Sequence, residues 1–141
     1  MHPLVRGAVA GSVATVAMSG VMLALRKQMG PQPPDVMATH AAHAVGADPT
    51  EEQADVLAAV SHVAFGAGGG AAYALLPRVG PPWLRGVVTG LGIWASAYQG
   101  WVPALGILPP ATEDRPARPA VMIAAHVVYG AVLGELEDRL R

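Results

Sequence analysis

Two histidines, His62 and His126, lie inside long uncharged stretches of the chain and are the residues there best suited to chemistry. An imidazole changes its charge near neutral pH, and it also ligates metals and haem iron. Ionisable side chains within membrane spans are rare and mark proton relays, substrate paths or ligand sites. The sequence therefore leaves three interpretations open. The pair serves a proton or small-solute path, it holds a haem or metal, or each histidine is hydrogen-bonded within a packed interface.

Several other polar residues are candidates for a site near this pair. Hydroxyl, phenol and amide side chains that could line a cavity lie on the first and third apolar stretches, at Thr15, Ser19, Ser96, Tyr98 and Gln99. His40 and His43 are spaced to share one face of a helix, as zinc ligands can be, but structural zinc needs four ligands. No matching acid or cysteine is evident, so the sequence favours a solvated polar face and predicts no metal site.

The residue content excludes several functional classes. The chain has no cysteine, no Ser-His-Asp set and no nucleotide-binding motif, and no acidic residue lies within a predicted span. We therefore expect that it is not an enzyme. Nine basic residues balance ten acidic ones without forming a basic stripe, which argues against nucleic acid as a partner.

The composition indicates the elements that must position the histidines. Hydrophobic residues make up 52% of the chain and charged residues only 13%, about half the usual globular content of roughly 25%. A helix needs about 20 apolar residues to cross a bilayer. Four uncharged stretches approach or reach that length: 7–25, 56–76, 86–108 and 120–134. The sequence predicts an all-α, four-helix transmembrane bundle with the lipid bilayer as its surroundings.

The connections divide one integral membrane domain, residues 1–141, into two hairpins. The first covers 1–76 and includes a short interfacial helix at 36–45, and the second covers 82–141. Prolines and glycines punctuate the connections between the helices. The long helices are expected at 5–28, 50–76, 82–105 and 118–140.

The two hairpins share a pattern that predicts tandem helical hairpins arranged as a parallel internal repeat. Arg6 and Arg85 each precede a glycine pair, and each central histidine is followed by another pair: Gly7 and Gly11, Gly86 and Gly90, Gly66 and Gly70, Gly130 and Gly134. Such small-residue faces let helices approach closely, within a chain or between the chains of a homo-oligomer. Parallel repeats are related by an axis along the membrane normal, so the two histidines are expected at equal depth near that axis.

The second hairpin also carries a family resemblance. The segment from Gly86 to Pro110, followed by Ala125 to Gly130, resembles the YagU-like group of small uncharacterised bacterial inner-membrane proteins. The resemblance implies a multi-pass protein of the bacterial inner membrane. The predicted membrane side that holds both termini carries five basic residues, and the other side carries four. Because basic residues are enriched on the cytoplasmic side, this count favours cytoplasmic termini.

The sequence thus assigns no definite biochemical role. Its leading hypothesis is a proton or small-solute pathway gated by the buried histidine pair. The alternatives are a structural or accessory membrane subunit without transport, and a haem- or metal-binding electron-transfer module. No cofactor is otherwise predicted.

Overall fold

The computed structural model describes all residues from Met1 to Arg141, and all of its regular secondary structure is helical. In chain order the elements are α1 (Pro3–Ala24), α2 (Arg26–Met29), α3 (Pro33–Ala44), α4 (Glu51–Tyr73), α5 (Pro82–Ser96), a π-helical turn (Ala97–Trp101), α6 (Val102–Ala104) and α7 (Ala117–Arg139). The prediction of an all-α fold is confirmed.

Three of these helices, α1, α4 and α7, are long and apolar enough to cross a membrane. This suggests a membrane protein. The third predicted span differs from expectation, because α5 has only 15 residues before the π-helical turn begins. In that turn the Val102 N–H donates to the Ala97 carbonyl oxygen, five residues back. Pro103 explains the break, since proline has no N–H and its ring clashes with the carbonyl four residues earlier in an α-helix.

Local sequence explains where α3 and α4 begin. Two prolines occupy the first turn of α3, where their missing N–H groups cost nothing. Thr50 and Gln53 form a reciprocal capping box at the start of α4, and Glu51 and Glu52 lie at the positive end of its dipole. The predicted interfacial helix at 36–45 corresponds to α3, which begins three residues earlier.

The long helices form two packed pairs that meet along one side only. Helix α1 packs along α4, and α5 packs along α7. Helices α1 and α7 then pack against each other at the centre, whereas α4 and α5 barely touch. The bundle is therefore open between α4 and α5.

Glycine backbones make both helix pairs possible. A Cβ atom added at any of these positions would collide with backbone of the partner helix: Gly7 with Gly70, Gly11 with Gly66, Gly86 with Gly130, Gly90 with the His126 carbonyl, and Gly134 with Pro82. Backbone cannot move aside as a flexible side chain can. The helices approach this closely only because these positions have no side chain.

Replacing Gly130 by Leu should strongly destabilise the protein, because a side chain would have to fit where the Gly86 carbonyl lies. Overpacking usually costs about 1–3 kcal/mol, and a backbone collision should lie at or above the top of that range. Gly68→Leu is the matched control, since nothing lies within 4 Å of a Cβ there. The measurement is the melting temperature of the purified protein in detergent. Equal melting of the two variants would mean that the α5/α7 contact is wrongly placed.

Candidate functional site

A cavity of about 200 Å³ occupies the gap between α4 and α5. The inner helices α1 and α7 form its back, and Pro33, Pro34 and Met37 of α3 lie at one end. Methionine and aromatic side chains supply most of the remaining wall. A mostly apolar cavity with a few polar groups is the usual form of a small-molecule site.

His62 of α4 and His126 of α7 both line this cavity. The Nδ1 atom of His126 lies 2.8 Å from the Met122 carbonyl oxygen, which can only accept a hydrogen bond. Nδ1 of His126 therefore carries a hydrogen, and Nε2 is left as the acceptor of a neutral imidazole. The Nδ1 atom of His62 lies 3.5 Å from the Ser19 hydroxyl on α1. The fold thus brings together the two histidines that the sequence selected.

A second, smaller cavity of about 30 Å³ continues past the histidines. Both imidazoles line it, together with Thr15 and Tyr129. The Tyr129 hydroxyl donates to the Gly66 carbonyl oxygen at 2.8 Å and so links α7 to α4. The volume is close to that occupied by one water molecule. Beyond this point lie the glycine contacts of the two helix pairs.

Trp94 adds a polar group that the sequence did not single out. Its ring lines the main cavity and stacks on Tyr98, with the ring centres 6.1 Å apart. Its indole nitrogen is buried and has no hydrogen-bond partner. An indole N–H is a donor only, so the wall of the cavity includes one buried donor without a partner.

The other predicted lining residues divide into two groups. Tyr98 lines the main cavity and Thr15 the smaller one, while Ser19 contacts His62. Ser96 and Gln99 lie outside both cavities. The Ser96 hydroxyl donates to the Ile93 carbonyl, and the Gln99 side chain accepts from the Ala111 N–H at 3.2 Å. The residues of α5 and the π-helical turn that line the cavity follow ordinary helical spacing, and Ser96 and Gln99 lie off that face.

The surface histidines of α3 are not gathered into a metal site. His40 and His43 are exposed, and the closest acid is Asp48, whose Oδ1 lies 3.7 Å from Nε2 of His43. No group of three or more histidine, cysteine or acidic side chains is close enough together to hold a metal ion.

A buried ion pair fixes the helices near the α3 end of the cavity. Arg118 donates to Asp114 at 3.0 Å and to the Met29 carbonyl at 3.1 Å, and the Tyr98 hydroxyl donates to the same Asp114. Burial raises the pKa of Asp114, but hydrogen bonds from Tyr98, the Arg115 N–H and Arg118 outweigh it and hold that pKa below its ordinary value. No sequence pattern indicated this network, because its members come from four separate segments.

The opposite end of the bundle holds a second charge cluster. Glu137 is completely buried on α7, and Arg6 of α1 approaches it to 2.7 Å. Glu137 lies beyond the predicted apolar stretch 120–134, in the part of α7 that runs on to Arg139. A hydropathy pattern ends a span at its charges and does not detect that an acid is neutralised by an arginine elsewhere in the chain.

These features define an all-helical protein with three helices able to span a membrane and a cavity, in the gap between α4 and α5, that two histidines line. A model of a family of unknown function, DUF6789, matches residues 1–141, so the chain belongs to that family. No curated protein and no solved structure matches the chain. The comparisons therefore establish the family, and the chemistry must be argued from the site.

Replacing Asp114 by Asn should lower stability by about 3 kcal/mol at pH 7, because breaking a buried pair leaves the Arg118 charge uncompensated. The pKa of Asp114 is depressed in the folded protein. Its stabilising effect is therefore complete above the ordinary aspartate value of 3.8 and is lost as pH falls through the folded pKa.

Denaturation in detergent at pH 7 and at about pH 3 tests this, since the pH of about 3 lies below the unfolded value. The exposed neighbour Glu113, changed to Gln, is the control for a lost charge in the same loop. If Asp114→Asn and Glu113→Gln behave alike at pH 7, the ion pair does not stabilise the fold.

Proposed function

We propose that the protein is an integral membrane protein of the bacterial inner membrane that provides a path for protons or a small neutral solute. His62 and His126 act as its gate. The observation that carries the proposal is that imidazoles from two different helices line the same internal cavity. It is not an enzyme in this proposal, because no carboxylate lines the cavity to complete a Ser-His-Asp set or an acid-base pair.

The protonation state of the pair supplies the gating step. No Asp, Glu, Lys or Arg lines either cavity, and the only other titratable groups there are Tyr98 and Tyr129. A charged imidazole in such apolar surroundings is costly unless water or a counter-charge reaches it. Histidine protonates near pH 6.5 in water, so acidification is the natural signal.

Helix α4 is the element that can respond. It carries His62 and barely touches α5 across the cavity, so a small displacement of its cavity side would break few contacts with α5. Displacement would also separate the Tyr129 hydroxyl from Gly66, the contact that closes the inner end of the path. Acidification charges one of the two histidines, and both the entry of water and separation of the helices relieve the cost of that charge.

The proposal includes the tandem repeat as the origin of the histidine pair. Tyr73 follows His62 at the same spacing at which Glu137 follows His126. Arg6 donates to Glu137 at 2.9 Å, and Arg85, its counterpart in the second hairpin, donates to Tyr73 at 2.7 Å. An arginine of each hairpin thus reaches the equivalent position in the other hairpin, as a two-fold relation along the membrane normal requires.

The functional test is flux across proteoliposomes that contain the purified protein. A pH-sensitive dye inside reports protons, and light scattering after osmotic shock reports glycerol as a neutral solute. We expect flux through the parent to rise as external pH falls from about 7.5 to about 5, across the ordinary histidine pKa. His62→Phe and His126→Phe should each abolish the pH-dependent part.

His43→Phe is the matched control, because His43 is an exposed histidine on α3 outside the cavity. If His43→Phe reduces the pH-dependent flux as much as His62→Phe does, gating by the histidine pair is contradicted. A parent protein that passes neither protons nor glycerol at any pH would favour the rival function, an accessory subunit without transport. A Soret band in the visible spectrum of the purified protein would instead favour a haem module.

A further inference from the structure

Four arginines surround one buried carboxylate at the end of the bundle that holds both termini. Nitrogen atoms of all four lie within 4 Å of the Glu137 oxygens, in the order Arg6 (2.7 Å), Arg141 (3.1 Å), Arg78 (3.7 Å) and Arg85 (3.9 Å). Asp138 adds a second acid, 3.2 Å from Arg141. The cluster therefore has more positive than negative charge.

The arginines differ in how far their donors are used. Arg6 and Arg141 hydrogen-bond Glu137 directly. Arg78 makes no hydrogen bond with a protein group and remains partly exposed. A terminal nitrogen of Arg85 donates a hydrogen bond to the Tyr73 hydroxyl, but the Nε of Arg85 is buried and has no hydrogen-bond partner. An unsatisfied buried donor is costly, and a guanidinium with free donors is suited to an oxyanion.

We propose that Arg78 and Arg85 bind a phosphate group. Glu137 holds Arg6 and Arg141 in place and offsets part of the charge, so the remaining guanidinium donors can contact phosphate oxygens. Arginine is the side chain best suited to this contact, because its planar fork matches two oxygens at once.

The position of the pair favours the phosphate of a lipid headgroup. Arg78 lies in the turn between α4 and α5, at the end of an apolar helix. Large apolar side chains are exposed next to it, namely Leu75, Leu76, Val79 and Trp83. Basic side chains at the end of a span, flanked by apolar and tryptophan side chains, lie where phospholipid phosphates are found.

The test measures ligand-dependent melting of the purified full-length protein in neutral detergent. One arm adds phosphatidylglycerol, with diacylglycerol as the uncharged comparison that lacks a phosphate. The second arm adds inorganic phosphate, with chloride at equal ionic strength. Arg78→Gln is the main variant, since Arg78 makes no hydrogen bond that folding requires. Arg139→Gln is the matched control, because Arg139 is an exposed arginine at the same end that pairs only with Glu135.

We expect phosphatidylglycerol to raise the melting temperature of the parent and of Arg139→Gln. Arg78→Gln should bind about tenfold more weakly, which is the loss expected for one charge-assisted hydrogen bond. A response to inorganic phosphate alone, with the same dependence on Arg78, would support the site and assign free phosphate as its ligand. Equal weakening by Arg78→Gln and Arg139→Gln, or no response in either arm, would overturn the proposal.

Discussion

The close approach of glycine backbones within each helix pair is the contact on which the rest of the structure depends. Gly7 and Gly11 of α1 meet Gly70 and Gly66 of α4, and an equivalent glycine contact joins α5 to α7. All of these contacts lie toward the end of the bundle that holds the termini. The opposite half contains methionine and aromatic side chains, and there the packing leaves the cavity. In a membrane, helices gain no hydrophobic driving force from one another, so contacts of this kind decide which helices associate.

Helix α7 connects the two ends of the bundle. A buried charge network lies at each end of the bundle, and α7 contributes one charged residue to each network. Arg118, near its start, binds Asp114 and the Met29 carbonyl, and Glu137, near its end, binds Arg6. Each network costs desolvation energy that is offset only when every partner is present. Both networks join segments distant in the chain: the Glu137 network fixes α7 against α1, and the Arg118 network fixes α7 against α2, which follows α1. These two networks account for the packed side of the bundle, between α1 and α7. No ion pair joins α4 to α5.

Sequence patterns could predict the parts of this fold that depend on local chemistry. The lengths of the apolar stretches predicted α1, α4 and α7. Thr50 and the two glutamates after it predicted the start of α4. Both kinds of feature act within a single helix. The glycine spacing identified faces that do pack. The π-helical turn depends on how Pro103 is accommodated, and no periodic pattern of the sequence indicates it. The pairing of Arg6 with Glu137 depends on which helices become neighbours, and no periodicity within either helix contains that information.

The asymmetry between the two sides of the bundle determines which helix is free to move. A two-fold arrangement of hairpins would make the α4/α5 contact resemble the α1/α7 contact, yet only the latter is packed. Helix α4 is held by its glycine contacts with α1 at one end, by α3 at the other, and between them by the Tyr129 hydroxyl on Gly66 and the long contact between His62 and Ser19. His62 lies in the part of α4 beyond the glycine contacts, next to the cavity, and this part has no packed partner on the α5 side. A displacement of this part toward or away from the cavity therefore changes the distance between the two imidazoles.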